Sequence, residues 1–319
     1  MFELRKLIGN TTFLEAKNLA KNLGIERLFL KFEGSNPTGT QKDRIALALI
    51  DDAFKKKYKV ITTATCGNFG AALAYVANNF GLESHIYIPT NYHPAKNRIN
   101  YLQQANAHIH YIEGHYEDAV SHSSEIAENE NYYDANPGIP HVRDVSFQAY
   151  GEIAHELYKN LRRVPDYVFC PVGNGTTLAG IYLGFKYLYK EGKISKIPKI
   201  VATSTKKGNP IIKSYKVKSK VALDLSPNEI RESQINEPLT NWHSYDGQEA
   251  LDAIYDSNGF AEYASDTKML NFYKVLRDEQ GINALPASTS TLAVLSGLKR
   301  AEVTLKGTYV AVLTGRYFK

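Results

Sequence analysis

Cysteine is nearly absent. Cys66 and Cys170 are the only two in 319 residues, they lie far apart, and each is followed by a turn signal. That pattern excludes a disulfide framework and offers no zinc spacing. No apolar run approaches the ~20 residues needed to span a bilayer, so no membrane partner is expected. The opening Met1–Lys6 lacks the apolar stretch of a signal peptide, and a cytoplasmic location is the expectation. Neither sign of charge dominates: 38 basic and 33 acidic residues give a net charge of +5. The lysines are scattered rather than gathered on one face, which argues against nucleic acid as a partner. Long internal repeats and low-complexity segments are missing too. What remains is an ordinary globular composition, 43% hydrophobic and 22% charged, in a chain long enough for two lobes.

Short β-branched or aromatic runs alternate with helical patterns. Strands are predicted over 27–32, 60–64, 84–89, 108–112, 167–171, 199–203 and 309–313. Helices are predicted over 43–57, 69–80, 95–105, 147–161, 178–189, 248–257, 266–280 and 288–301. Such alternation implies an α/β fold with parallel sheets and right-handed crossovers. Two segments break the rhythm. Residues 134–143 suggest a lobe boundary. Residues 206–242 are long and polar, and read as a mobile or partner-facing loop with solvated lysines.

Three loops carry the chemistry. In the first, Asn36-Pro37-Thr38-Gly39-Thr40-Gln41-Lys42-Asp43-Arg44 sets a lysine just after a Pro/Gly turn and at the start of an amphipathic run. Alone, Lys42 reads as a solvated cation. The second loop, Thr65-Cys66-Gly67-Asn68-Phe69-Gly70, lies between a strand and a helix. Backbone N–H groups at such a junction favour an anion. The third, Gly173-Asn174-Gly175-Thr176-Thr177, also follows a strand and opens a helix. Its glycines clear space for a phosphate, and its amides and hydroxyls supply donors. The dinucleotide fingerprint is not matched, and its acidic ribose partner ~20 residues on is not evident. His108, His110 and His115 alternate near a predicted strand, but no matching Cys, Asp or Glu set accompanies them; they read as solvated, and no metal is expected.

Together with Ile8-Gly9-Asn10-Thr11-Thr12, Pro286-Ala287-Ser288 and Thr314-Gly315, these loops resemble the fold-type-II, or tryptophan-synthase-β, family of pyridoxal 5'-phosphate (PLP) enzymes. Asn-Pro-Thr-Gly-x-x-Lys-Asp-Arg most resembles its threonine-synthase group. The resemblance implies two lobes, each a mostly parallel twisted sheet flanked by helices. It implies a large cofactor-binding domain of residues 1–41 plus 146–319 and a small mobile substrate domain of residues 42–145. It makes Lys42 the Schiff-base lysine and later the base at the substrate Cα. Asn68 is implied at the cofactor's 3′-oxygen, Gly173, Asn174, Gly175, Thr176 and Thr177 at its phosphate, and Thr314 at its ring nitrogen. Thr65, Cys66 and Gly67 are implied at the substrate carboxylate. The partner is then a small amino acid, and a homodimer is expected.

Departures from the pattern bear on the substrate. Cys66 stands where serine or threonine is usual, and is either a second acid/base or an inert near-isostere. The segment after Arg143, Asp144 to Tyr150, replaces a run that helps place the substrate phosphate in threonine synthases. Leu285 replaces a common glutamate. Lys96, Arg98 and Arg143 are the candidate cations for an acidic substrate. Trp242 and His243 follow Asn241, where family members have a short segment near the site. The leading expectation is O-phosphohomoserine plus water giving threonine and phosphate. Cysteine- or cysteate-synthase-type β-replacement, serine/threonine dehydration, and a non-catalytic binding subunit remain alternatives.

Overall fold

The computed structural model describes residues 2–65, 67–91, 96–298 and 305–317. The described elements are, in order, α1 (Phe2–Leu7), β1 (Thr12–Glu15), α2 (Lys17–Leu23), β2 (Ile25–Phe32), α3 (Lys42–Lys55), β3 (Val60–Ala64) and α4 (Asn68–Phe80). Then come β4 (Glu83–Pro89), α5 (Lys96–Gln104), β5 (His108–Ile112), α6 (Tyr116–Asn129), β6 (Tyr133–Asp134) and α7 (Pro140–Leu161). The remainder is β7 (Tyr167–Pro171), α8 (Thr176–Lys190), β8 (Lys199–Thr205), α9 (Pro210–Lys216), α10 (Gly247–Asp256), β9 (Phe260–Ala264), α11 (Asp266–Gln280), α12 (Ser290–Gly297) and β10 (Leu305–Leu313).

The chain divides into two compact units. The smaller holds Asn36–Ala149 and the N-terminal stretch ending at Gly9; the larger holds Asn10–Ser35 and Tyr150–Tyr317. The boundaries differ from the expected ones. Leu4 and Ile8 are buried in the smaller unit's core, and the Gly9 N–H donates to Asn36 Oδ1 at 2.9 Å. Both contacts draw the first residues to the Asn36 turn.

In the smaller unit the sheet order is β5-β4-β3-β6, and every pair is parallel. Its core includes Leu49, Ile50, Ile61, Leu73 and Ile86, all fully buried. Each such side chain contributes about 1.5–3 kcal/mol by leaving water. Helix α3 buries Ile45, Ala46, Leu49, Ile50 and Ala53, a stripe at helical spacing. Helix α4 is mostly small and apolar, and ends at Gly81 in the left-handed conformation, φ 73°.

In the larger unit the order is β1-β2-β10-β7-β8-β9. All pairs are parallel except β1 with β2. A buried cation anchors this unit's opening. Lys31 is fully buried and ion-paired with Glu156, and its ammonium also donates to the Thr11 carbonyl at 2.8 Å. The Asn10 N–H donates to the same Glu156 carboxylate at 2.8 Å. Thus the Asn10-Thr11 part of the opening motif is held by an internal ion pair.

Residues 206–242, expected as a mobile or partner-facing loop, include a helix and buried side chains. Asn209 caps α9, its Oδ1 accepting from the Ile212 N–H at 3.1 Å, and Pro210 occupies the first helical turn. Asn236 and Leu239 are buried. Of the predicted helix over 288–301, α12 covers Ser290–Gly297 after a 3-10 turn at Pro286–Thr289, and residues 299–301 lie outside the described residues.

Candidate active site

Lys42 is the first residue of α3 and is half-buried. The motif around it folds the turn that places it. The Asp43 carboxylate, fully buried, accepts the Thr38 N–H at 2.7 Å and also the Thr38 hydroxyl. Gly39 takes φ 84°, which favours glycine, and its N–H closes the turn on the Asn36 carbonyl at 2.9 Å. The Lys42 N–H donates to Thr40 Oγ1 at 3.2 Å. Its ammonium lies 5.8 Å from the centroid of the Phe69 ring. Phe69 is the neighbour of Asn68, so the smaller unit brings the lysine to the start of α4.

The loop into α4 caps itself. Thr65 is buried, and its Oγ1 accepts the Gly67 N–H at 3.1 Å and the Gly70 N–H at 3.2 Å. Gly70 permits this closure, because a Cβ there would fall 2.3 Å from Thr65 Cγ2. Gly67 adopts φ 155° and ψ −87°, a conformation suited to glycine. The Thr65 hydroxyl proton is left for an acceptor such as a carboxylate. Cys66 lies outside the described residues.

Asn136 braces the strand beneath. It is fully buried, its Oδ1 accepts the Ala64 N–H at 2.7 Å, and its amide nitrogen donates to Ser123, Ser124 and Asp134. Of the candidate cations, Arg98 is buried and comes near the loop: a Cβ on Gly67 would meet its Cγ at 3.8 Å. Arg143 is half-exposed on α7, with its Nε 3.8 Å from Asp144 Oδ1. Lys96 opens α5, and its side chain lies outside what the structure describes.

In the larger unit, the third loop joins β7 to α8. Gly175 is the N-cap residue, left-handed at φ 96°, and as a glycine it brings no side chain to the helix amides. The first-turn amides of a 15-residue helix are therefore available to an anion. The loop is held from behind. The Asn209 side chain donates to the carbonyls of Val172 at 3.1 Å and Gly173 at 3.2 Å. The Asn241 side chain donates to Asn174 Oδ1 at 3.0 Å, the Ser244 hydroxyl donates to the Gly173 carbonyl at 3.2 Å, and the Asp246 N–H donates to the Asn174 carbonyl at 3.2 Å. The Thr176 hydroxyl donates to the buried Asp246 carboxylate. That proton is engaged, and Thr176 offers an anion its backbone N–H instead. Sequence reasoning missed Asn209, Ser244 and Asp246; the Asn209-Pro210 pair is a helix-start signal that was there to read.

Thr314 follows β10, and β10 lies beside β7 in the sheet. Thr314 and the phosphate-loop candidates thus lie beyond the C-terminal ends of adjacent parallel strands, where α/β sheets place ligands. Two motifs distant in sequence meet here: the Leu285 N–H donates to the Gly315 carbonyl at 2.7 Å, and Ser288 bonds back to the Leu285 carbonyl. Leu285 makes its tie through the backbone, so the loss of a glutamate there leaves it intact. Cys170 on β7 is fully buried, and desolvation, with a smaller contribution from Glu33, pushes its thiol pKa far above the ordinary value.

The sequence profile of the family described as "Pyridoxal-phosphate dependent enzyme" matches residues 4–315. This chain belongs to that family. Among curated relatives, a threonine synthase of Methanocaldococcus jannaschii is 30% identical over 296 residues, covering 92% of this chain and 69% of that protein. A threonine synthase of Synechocystis is 28% identical over 314 residues, covering 98% of this chain and 78% of that one. The maize serine racemase structure superposes with a TM-score of 0.80 at 17% identity, covering 100% of this chain and 92% of that one. A hydrogen sulfide-producing enzyme of Fusobacterium nucleatum superposes at 0.75 and 23% identity, covering 98% and 97%. These neighbours share the fold, and the family's cofactor is pyridoxal 5'-phosphate. Each unit by itself carries residues of the kind that group needs: the smaller a half-buried lysine at a helix start, the larger a glycine-built helix N-terminus suited to a phosphate.

Proposed function

We propose that this protein is a PLP-dependent lyase or replacement enzyme for a small amino acid with a leaving group at Cβ or Cγ. We take the reaction to be that of a threonine synthase: O-phosphohomoserine and water give threonine and phosphate. The observation that carries this reading is the alignment of threonine synthases with 92–98% of the chain.

When bound, PLP supplies delocalisation of the negative charge that develops at the substrate Cα. The protein supplies the rest. Lys42 would hold the cofactor covalently, and its amine, when free and neutral, would take the substrate's Cα proton. Asn68 would meet the 3′-oxygen. Amides of the Gly173–Thr177 loop would hold the phosphate. Thr314 would face the ring nitrogen with a hydroxyl, which cannot keep that nitrogen firmly protonated and so suits elimination and replacement. Thr65 and Gly67, with Cys66, would take the substrate carboxylate, and Arg98, Lys96 or Arg143 the leaving phosphate. We assign cofactor binding to the larger unit and substrate binding to the smaller. A cytoplasmic homodimer completes the reading.

One observation favours a second reading. Arg143 has Asp144 within 3.8 Å, and a carboxylate beside the cation weakens its pull on a substrate phosphate. A β-replacement enzyme or a dehydratase would not need that cation.

The deciding experiment offers the purified enzyme O-phosphohomoserine, O-phosphoserine, O-acetylserine, serine and threonine. Threonine and phosphate formed from the first support the leading reading. No turnover of it, with a serine derivative consumed instead, moves the assignment to β-replacement. In the same preparations, borohydride should fix the cofactor on Lys42, and Lys42→Ala should lose both the fixed adduct and turnover.

A further inference from the structure

The smaller unit carries a histidine cluster that the proposed reaction does not use. Glu83 and His85 lie two residues apart on β4, and His108 is the Cα partner of His85 on β5. Alternation along a strand puts Glu83 and His85 on one face, and the parallel register sets His108 beside them. Both rings aim Nε2 at the same carboxylate oxygen: His85 Nε2 lies 2.9 Å and His108 Nε2 3.2 Å from Glu83 Oε1. The three donor atoms all lie within 4.8 Å of one another.

We propose that Glu83, His85 and His108 form a binding site for a divalent transition-metal ion of the zinc class. Two imidazoles and one carboxylate are a donor set that suits zinc and its neighbours. Metal–ligand bonds of about 2.0–2.1 Å in a tetrahedron place ligand atoms about 3.3 Å apart. The two shorter separations are already within a few tenths of an ångström of that value. A supporting layer is in place as well. His110 Nε2 lies 3.1 Å from His85 Nδ1. A lone pair given to a metal by His85 Nε2 leaves the hydrogen on Nδ1, which donates to His110 Nε2; second-layer bonds of this kind orient ligating histidines. The His110 ring is itself stacked on Tyr87, centroids 4.6 Å apart, which steadies the donor's partner. Glu83 and His108 are exposed, so the ion has a direct path from solvent and open positions for water.

The position says what the site does. Glu83 and His85 sit near the start of β4, with Val60 the register partner of Glu83 and Ala64 that of Tyr87. The substrate loop follows Ala64, about 7–13 Å further along the strand direction, since His85 pairs with Thr62 and Glu83 with Val60. The ion therefore acts away from the reacting atoms. It ties the edge strand β5 to its neighbour β4, and stabilises the smaller unit.

The test uses chelator-treated holoenzyme and zinc alone, titrated against a chromophoric competitor, with cobalt as a spectroscopic substitute. The expected result is one zinc per chain at micromolar free zinc, a visible cobalt band from a low-coordinate nitrogen/oxygen site, and a thermal midpoint that rises with zinc. His108→Ala, at an exposed position, should fold, lose the cobalt band and lose the thermal shift. His110→Ala should keep the stoichiometry and weaken binding about 10-fold or more. His155→Ala, on α7 in the larger unit, should match wild type. Equal zinc binding by wild type and the His85→Ala/His108→Ala double variant would overturn the proposal, as would a wild type that binds no zinc at these concentrations.

Discussion

Two loops in this protein do the same topological job and are built in opposite ways. Each follows a parallel strand and opens a helix with a glycine at the N-cap. At the start of α4, the loop's own threonine takes two of the amides. At the start of α8, the N-cap glycine has no side chain to offer, and the restraint comes from Asn209, Asn241, Ser244 and Asp246 behind it. The difference teaches how a helix N-terminus is tuned. A self-capped loop presents one directed hydroxyl and suits a carboxylate that must come and go. An open loop clamped from outside presents a ring of amides and suits a phosphate that stays.

The comparison breaks most visibly at Gly175. A Cβ there would lie 2.7 Å from the Asp246 carbonyl oxygen and 2.8 Å from Ala250 Cβ, at φ 96°. Gly175→Ala must therefore push back the clamp and strain the backbone. The expected cost is about 2–4 kcal/mol in denaturant unfolding, with weaker PLP binding on titration of the apoenzyme. A stable variant with unchanged cofactor affinity would refute the view that this clamp shapes the phosphate loop.

Thr65 gives the counterpart of smaller size. Thr65→Val removes the acceptor of two loop amides, with an expected loss of about 2 kcal/mol. Because the loop is assigned to substrate rather than cofactor, KM should rise while PLP affinity holds. Thr65→Ser should restore most of both. Equal losses of substrate and cofactor affinity would erase the contrast between the loops.

How far the sequence could carry this contrast depends on where each loop's partners lie. The self-capped loop keeps its partners within five residues, so its strand–turn–helix form was legible from local chemistry, while the roles of Thr65 and Gly67 came from the resemblance alone. The clamp on the other loop comes from residues 36 to 72 positions downstream, in and just after a stretch whose polarity reads as a loose surface. Those polar side chains are turned inward, where Asn209 and Asn236 are buried, and composition cannot tell an inward asparagine from a solvated one. The main helices and parallel strands were legible because their apolar periodicity is local. Strand β1 and helix α6 were not: β1 is only four residues long, and α6 buries only Ala119, Ser123 and Ala127. The grouping of the histidines was hidden for the same reason as the clamp. Reading His108 and His110 along one strand could not supply Glu83 and His85, which register brings from the next strand.

The two thiols offer the finest test of the contrast, because one belongs to each loop's neighbourhood. Cys170 lies on the strand that leads into the clamped loop. It is fully buried, and its pKa is raised, chiefly by desolvation. A raised thiol pKa means less thiolate at any given pH below it, and thiolate is the reactive form. Between neutral and mildly alkaline pH, Cys170 should stay unlabelled by a polar thiol reagent in the native protein and react only on unfolding. Any native labelling then reports Cys66 alone, and Cys66→Ser should abolish it. If labelling of wild type leaves turnover unchanged and Cys66→Ser has wild-type kinetics, the thiol is an inert substitute for the family's hydroxyl. A pH–rate profile that changes shape in Cys66→Ser, with cofactor affinity unchanged, would instead place its proton in the reaction. Native labelling of Cys170, followed by mass spectrometry, would show that the clamped loop opens and would overturn the contrast from the other side.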